Sequence, residues 1–172
     1  NVSSTGIPEG KYEAAISVTA TDAHGNTKTI NSAVDVDTTA GVTFSSAPVE
    51  GDNVINATEV ADGVVLTGQA LPAATVSIAM SGGGSYNATV AADGSWSVNI
   101  PGGDFNAGEY DVTFTATATS PAGNVATSTL SLDVDTLVQP FGLDANAQLA
   151  DNVLNGGEVT GGLTLNGTTE EG

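Results

Sequence analysis

The chain has 172 residues, with 20 acidic side chains against two basic ones, Lys11 and Lys28, and a formal net charge of −18. A surface this negative repels phosphate backbones and anionic lipid headgroups, so no nucleic acid is expected as a partner, and no direct membrane insertion. No apolar run approaches the length of a membrane span, and the absence of cysteine removes the disulfide-stapled secreted domains and most zinc sites.

Taken in chain order, the apolar residues fall in short runs separated by Gly, Asn, Asp and Ser, the pattern of an all-β protein. Residues 10–39 read "GKYEAAISVTATDAHGNTKTINSAVDVDTT", two alternating runs about a turn that carries His24, the chain's only histidine. A lone histidine in such a turn is a turn residue rather than a catalytic one. The next strand is expected at Val42 to Ser46 and another at Val64, Leu66 and Gly68. Val76, Ile78 and Met80 alternate after them, then Tyr86, Ala88 and Val90, with the glycines of "SGGGS" (81–85) as a loop between. "AADGS" is a hairpin turn built on Asp93-Gly94, followed by Trp96, Val98 and Ile100. Trp96 is the expected large core anchor. Tyr110, Val112, Phe114, Ala116 and Ala118 alternate with polar residues over ten positions; "SPAGN" then turns the chain into Leu130, Leu132 and Val134. No stretch shows helical periodicity with caps. Seven antiparallel strands in about 98 residues fit an immunoglobulin-like β-sandwich.

The pattern repeats. Residues 10–39 and 108–137 are identical at 12 of 30 positions without a gap, and residues 52–68 and 151–167 at nine of 17. A period near 100 residues means whole domains in tandem, where a shorter one would mean a solenoid or propeller. The expected division is 1–37 as the end of one repeat, 38–135 as a complete repeat, and 136–172 as the beginning of the next. The chain begins and ends in mid-pattern, and so reads as a piece of something longer.

The repeated acidic groups carry the chemistry. Asp35 and Asp37 lie two apart on an extended strand and project to one side; Asp133 and Asp135 copy them. "DNVINATE" supplies Asp52, Asn56 and Glu59, and "DNVLNGGE" supplies Asp151, Asn155 and Glu158. These are hard oxygen donors, which suit calcium and its tolerance of irregular geometry, although the spacing is not that of an EF-hand. Carboxylates gathered without basic partners repel, and a bound cation relieves the repulsion. In a seven-strand sandwich the last strand ends at the pole facing the next domain, and the 48–62 loop is expected at that pole, near Asp133 and Asp135. The opposite pole holds the turns around Asp93 and Asn124, near Asp35 and Asp37 of the preceding joint.

The motifs "TATDAHGNT", "VDVDTTAG", "GDNVINATEVADGVVLTG" and "AADGSWSVNIP", in this order around the repeat, resemble the bacterial Ig-like repeats of giant biofilm-associated adhesins of the type I secreted, RTX type. The resemblance covers essentially the whole chain. It implies calcium-stiffened tandem domains in an extracellular stalk on the bacterial cell surface, with no enzymatic role. The partners it implies are neighbouring repeats, other copies of the fibre or a host or surface ligand. Two departures stand out: "DAHGN" becomes "SPAGN" in the second copy, where Ser120 brings no charge, and the joint "DTLVQPF" differs from "DTTAG". Alternatives of another class are a self-assembling filament subunit, with strand pairing between copies, and a carbohydrate- or ice-binding sandwich using the Thr113, Thr115, Thr117 and Thr119 row.

Overall fold

The computed structural model describes residues 7–138, 142–144, 153 and 155–169. Two strands, β1 (Lys11–Thr21) and β2 (Thr27–Asp37), form a separate antiparallel hairpin in unbroken register from Lys11↔Asp37 to Thr21↔Thr27. Its turn is tied by Asp22, whose carboxylate accepts from the His24 and Asn26 amides (2.8 and 2.9 Å) and from Asn26 Nδ2 (2.8 Å). Side chains two apart share a face, so Ile16, Val18, Ile30 and Val34 line one side of the hairpin, and all four are exposed.

Residues 42–135 form the sandwich. In chain order it comprises β3 (Val42–Phe44), β4 (Val54–Asn56), a one-and-a-half-turn helix α1 (Ala57–Asp62), β5 (Val64–Ala70), β6 (Thr75–Met80), β7 (Ser85–Val90), β8 (Ser95–Ile100), a 3-10 turn at Gly102–Asp104, β9 (Glu109–Thr119) and β10 (Val125–Asp135). The ladder runs β3-β5-β8-β7-β6-β9-β10-β4 and folds over at β7, so that inner faces from both ends of the ladder share one core. Every pairing is antiparallel except that of β4, which lies parallel to β10 with Asp135 beside Asn56. The all-β, immunoglobulin-like reading is borne out.

Two expectations are corrected. This region holds eight strands rather than seven, and it does contain a capped helix. β4 has only three residues and α1 six, too few for either period to show. The helix stands on its capping box: Asn56 Oδ1 accepts from the Thr58 and Glu59 amides (2.8 and 3.1 Å), and Glu59 Oε2 accepts from the Asn56 amide (2.9 Å).

Strict alternation explains the core. Val64, Leu66, Ile78, Ile100, Val112, Phe114, Ala116 and Val134 are sealed from solvent, while their neighbours in sequence turn outward. Trp96, 2% exposed, meets Phe44 edge-on with ring centroids 5.4 Å apart. Its strand neighbour is Gly68. A methyl group there would fall on the Thr43 carbonyl and the indole ring, so only glycine lets β3, β5 and Trp96 close together. Beyond the sandwich, the described residues include β11 (Gly142–Leu143) paired with β12 (Gly167–Thr168), and a six-residue helix α2 (Gly156–Gly161) in the position of α1.

The two hairpins β1–β2 and β9–β10 have one architecture. Each strand has 11 residues, and the register Lys11↔Asp37 recurs 98 residues later as Glu109↔Asp135. Tyr12 Oη donates to the Pro8 carbonyl (3.0 Å) and Tyr110 Oη to the Asn106 carbonyl (3.1 Å). The difference is burial: the face exposed on β1–β2 is covered on β9–β10 by β3, β5 and β8.

Candidate cation-binding joints

Each Asp-Val-Asp-Thr sequence ends a long strand. At the first joint, Thr38 binds Gly10 in both directions: its amide donates to the Gly10 carbonyl (3.0 Å) and its Oγ1 accepts from the Gly10 amide (2.8 Å). Thr136 does the same to Gly108 (3.1 and 2.8 Å). The threonine of the motif thus closes the hairpin at its open end, a role separate from the carboxylates.

The carboxylates have different surroundings at the two joints. Asp37 Oδ1 accepts from the Thr39 amide (3.0 Å) and hydroxyl (2.7 Å), and Lys11 Nζ stands 3.5 Å from Oδ2. The Thr39 hydroxyl foremost, with the Thr39 amide and Lys11, holds the Asp37 carboxyl below its ordinary range. Asp35 is exposed and faces Glu13 across the hairpin. At the second joint the register sets Glu109 opposite Asp135 and Asp111 opposite Asp133. Where the first joint has Lys11 and Thr39, the second has Glu109 and Leu137. The Asp133 carboxyl is pushed above its ordinary range, first by hydrogen bonding with Asp111, then by burial and by the like charge of Asp111.

The loop carrying Asp52, Asn56 and Glu59 does reach the pole of the second joint, because β4 pairs with the end of β10 and the Asn53 carbonyl accepts from the Asp133 amide (3.3 Å). Asn56 and Asp135 line one open depression of about 340 Å3 with Thr58, Thr136, Leu137 and Val138. Within that loop, however, the polar side chains serve the backbone. Asn56 and Glu59 cap α1, and Asp52 Oδ1 accepts from the Val54 amide (2.9 Å). Asp93 is likewise spent on its own turn, accepting from the Ser95 amide (3.0 Å) and hydroxyl (2.7 Å), which lowers its pKa. Its hairpin does sit at the pole where β3 enters: the Gly94 carbonyl accepts from Ala70, which pairs with Val42. Asn155 repeats the role of Asn56, accepting from the Gly157 amide (3.0 Å) at the start of α2. Asp151 and the side chain of Glu158 lie outside the described residues.

Among the described residues, no three His, Asp or Glu side chains gather closely enough to make a ready metal cage. The second joint nevertheless offers donors of the right kind, all hard oxygens, with like charges opposed across two alternate rungs, Asp111↔Asp133 and Glu109↔Asp135. Sequence reasoning missed Glu109 and Asp111, since their place beside Asp135 and Asp133 follows from strand register alone.

The fold defines an immunoglobulin-like β-sandwich module. Residues 45–136 match the family model of the bacterial Ig-like domain, and the chain belongs to that family. Among solved structures it is similar to one from work on host-cell surface retention of a 1.5-MDa bacterial ice-binding adhesin, at 32% identity and a TM-score of 0.42 over 73% of this chain and 42% of that one. A second, described as a Ca2+-stabilized adhesin that helps an Antarctic bacterium reach out and bind ice, matches at 32% identity and a TM-score of 0.44 over 84% of this chain. The chain spans 37% of that structure's length. A third, a bacterial immunoglobulin-like domain from the M. primoryensis ice-binding adhesin, matches at 33% identity and a TM-score of 0.40, over 57% of this chain and 99% of that one. None of the curated proteins matches. No helix among the described residues is long and apolar enough to cross a membrane.

Proposed function

We propose that this chain is a stalk segment of an extracellular bacterial surface adhesin, serving cell adhesion and biofilm formation by mechanical extension rather than by catalysis. Its immediate partners are neighbouring repeats of the same chain, and beyond them other copies of the fibre or a host or surface ligand. Residues 38–135 are the complete repeat, 1–37 the last two strands of the preceding one, and 136–172 the start of the next. The repeated hairpin supports this division, since β1–β2 has the register of β9–β10 but leaves open the face that a sandwich covers. An 11-residue strand spans roughly 36 Å, so each repeat would lengthen the fibre by about that much.

Calcium is the proposed cofactor of the joints. The observation that carries this reading is the second joint, where Asp111 faces Asp133 and Glu109 faces Asp135 with leucine and glutamate in place of the first joint's threonine and lysine. Asp133 and Asp135, with Asn56 of the neighbouring strand, would hold the ion there, aided by Asp111 and Glu109. Neutralising these groups would remove the repulsion that frees the hinge. The test is a thermal melt of the whole chain in chelator, in calcium and in magnesium. Calcium at a hundredfold over its dissociation constant should add about 2.7 kcal/mol per site bound only in the folded state. A calcium-specific rise in Tm is expected; identical melts in all three conditions would return the joint carboxylates to ordinary solvated side chains.

A further inference from the structure

The turn between β9 and β10 reaches back to the first joint. Asn124 Nδ2 donates to the Asp37 carbonyl (2.8 Å) and, at greater length, to the Thr39 carbonyl (3.4 Å). These are backbone groups of the linker itself, on either side of Thr38, which is fastened to Gly10 of the hairpin. Asp37, Thr38 and Thr39 are therefore held from both sides: by the preceding hairpin through Thr38 and Lys11, and by the complete sandwich through one carboxamide.

Of the three differences between the turns "DAHGN" and "SPAGN", the one at Asp22 and Ser120 bears on that reach. In the β1–β2 turn, the counterpart Asn26 gives its Nδ2 to Asp22 Oδ2 (2.8 Å) and stays within its own turn. In the β9–β10 turn the aspartate is Ser120, which is buried. The serine hydroxyl accepts from the Asn124 amide (3.2 Å), and the Ser120 amide donates to the Asn124 carbonyl (2.8 Å). It has no second oxygen for the carboxamide, whose donors turn outward onto the linker. A carboxamide nitrogen carries two N–H groups, so one side chain can serve both carbonyls.

We propose that Asn124 is a latch that fixes the orientation of the β1–β2 hairpin on the sandwich without a bound cation. The Asp22-to-Ser120 change between repeats, which looks like the loss of a charged ligand, exchanges a self-contained turn for one that grips the preceding joint. This goes beyond the calcium reading and does not depend on it: the latch uses an amide and backbone carbonyls, and Asp37 already has Lys11 and Thr39.

The absence of cysteine makes the test clean. Lys28→Cys on β2 and Thr89→Cys on β7, both at exposed positions, allow paired spin labels on the full chain, with distances measured by double electron–electron resonance in chelator. With Asn124 intact, a single narrow distance is expected. Asn124→Ala should lose it to a broad distribution, and Asn124→Asp, which sets an acceptor against two carbonyls, should do the same. Asn26→Ala removes the same amide from a turn that does not touch the joint, and should leave the distribution narrow. Near-ultraviolet dichroism of Trp96 confirms that each variant keeps its core. A narrow distance in Asn124→Ala overturns the latch, as does broadening by Asn26→Ala. A parent distance that is broad in chelator and narrows only on adding calcium overturns it too, while leaving the calcium reading standing.

Discussion

Asp133 faces Asp111 directly across the β9–β10 ladder, and like charges so placed oppose folding. Its carboxyl is pushed above the ordinary range because a proton shared with Asp111 is worth more in the folded chain than in the unfolded one. A group raised on folding contributes stability below its unfolded value and loses it as pH rises through the folded value, so at pH 7 the repulsion is fully present. Asp133→Asn is therefore expected to raise Tm at pH 7 in chelator, with the gain shrinking as melts are taken toward pH 4. In saturating calcium the gain should vanish or reverse if the pair holds the ion. Asp22, Asp37 and Asp93 behave oppositely. Bonds from Asn26, Thr39 and Ser95 respectively are the foremost cause lowering them, so their contribution is present at neutral pH and is lost as pH falls through their folded values. Acid melts should thus separate the two kinds of carboxylate: relief at Asp133 comes first, and loss of the turn-tying aspartates follows at lower pH.

At the scale of elements, α1 gives the sharpest case of one signal with two meanings. Asn56 and Glu59 stand three apart because a capping box needs that spacing, and the same spacing reads as a pair of oxygen ligands when the helix is not seen. Asn56→Ala should cost about 1 kcal/mol in chelator, the usual loss for an N-cap, measured by urea unfolding followed through Trp96. A larger cost in calcium would show Asn56 acting as ligand as well as cap; an equal cost would leave it as cap alone. The long strands were legible for a physical reason: Glu109–Thr119 buries one face only, so a period of two is written directly into residue type. A three-residue strand and a six-residue helix have no room to write a period. The acidic residues were legible as a repeated set but not as individuals. An aspartate can tie its own turn, as Asp93 does with Ser95, or stand on a strand opposite another charge, as Asp133 does with Asp111. Only register and turn geometry tell these apart, and neither is visible before the strands are paired.

For the molecule as a whole, the repeat boundary makes a claim about folding that the core can answer. Every member of the buried cluster, from Val42 to Val134, lies within 38–135. The hairpin β1–β2 adds nothing to it and leaves Ile16, Val18, Ile30 and Val34 exposed. The polypeptide itself and the Asn124 carboxamide link it to the sandwich. A fragment of residues 38–136, which keeps Thr136 to close the hairpin on Gly108, is therefore expected to fold cooperatively. It should keep the near-ultraviolet signal of Trp96 and, in chelator, nearly the unfolding free energy of the sandwich in the full chain. A fragment that is unfolded, or that melts far below the sandwich transition of the parent, would mean that the neighbouring segments belong to its folding unit and that the boundary is misplaced. Calcium adds a second arm. If the ion at the second joint is held by groups within 38–136, namely Asp133, Asp135 and Asn56 aided by Asp111 and Glu109, the fragment should retain the calcium-specific rise in Tm. Loss of that rise with the fold intact would instead assign essential ligands to the following repeat, making the ion a cross-link between domains rather than a cap on one.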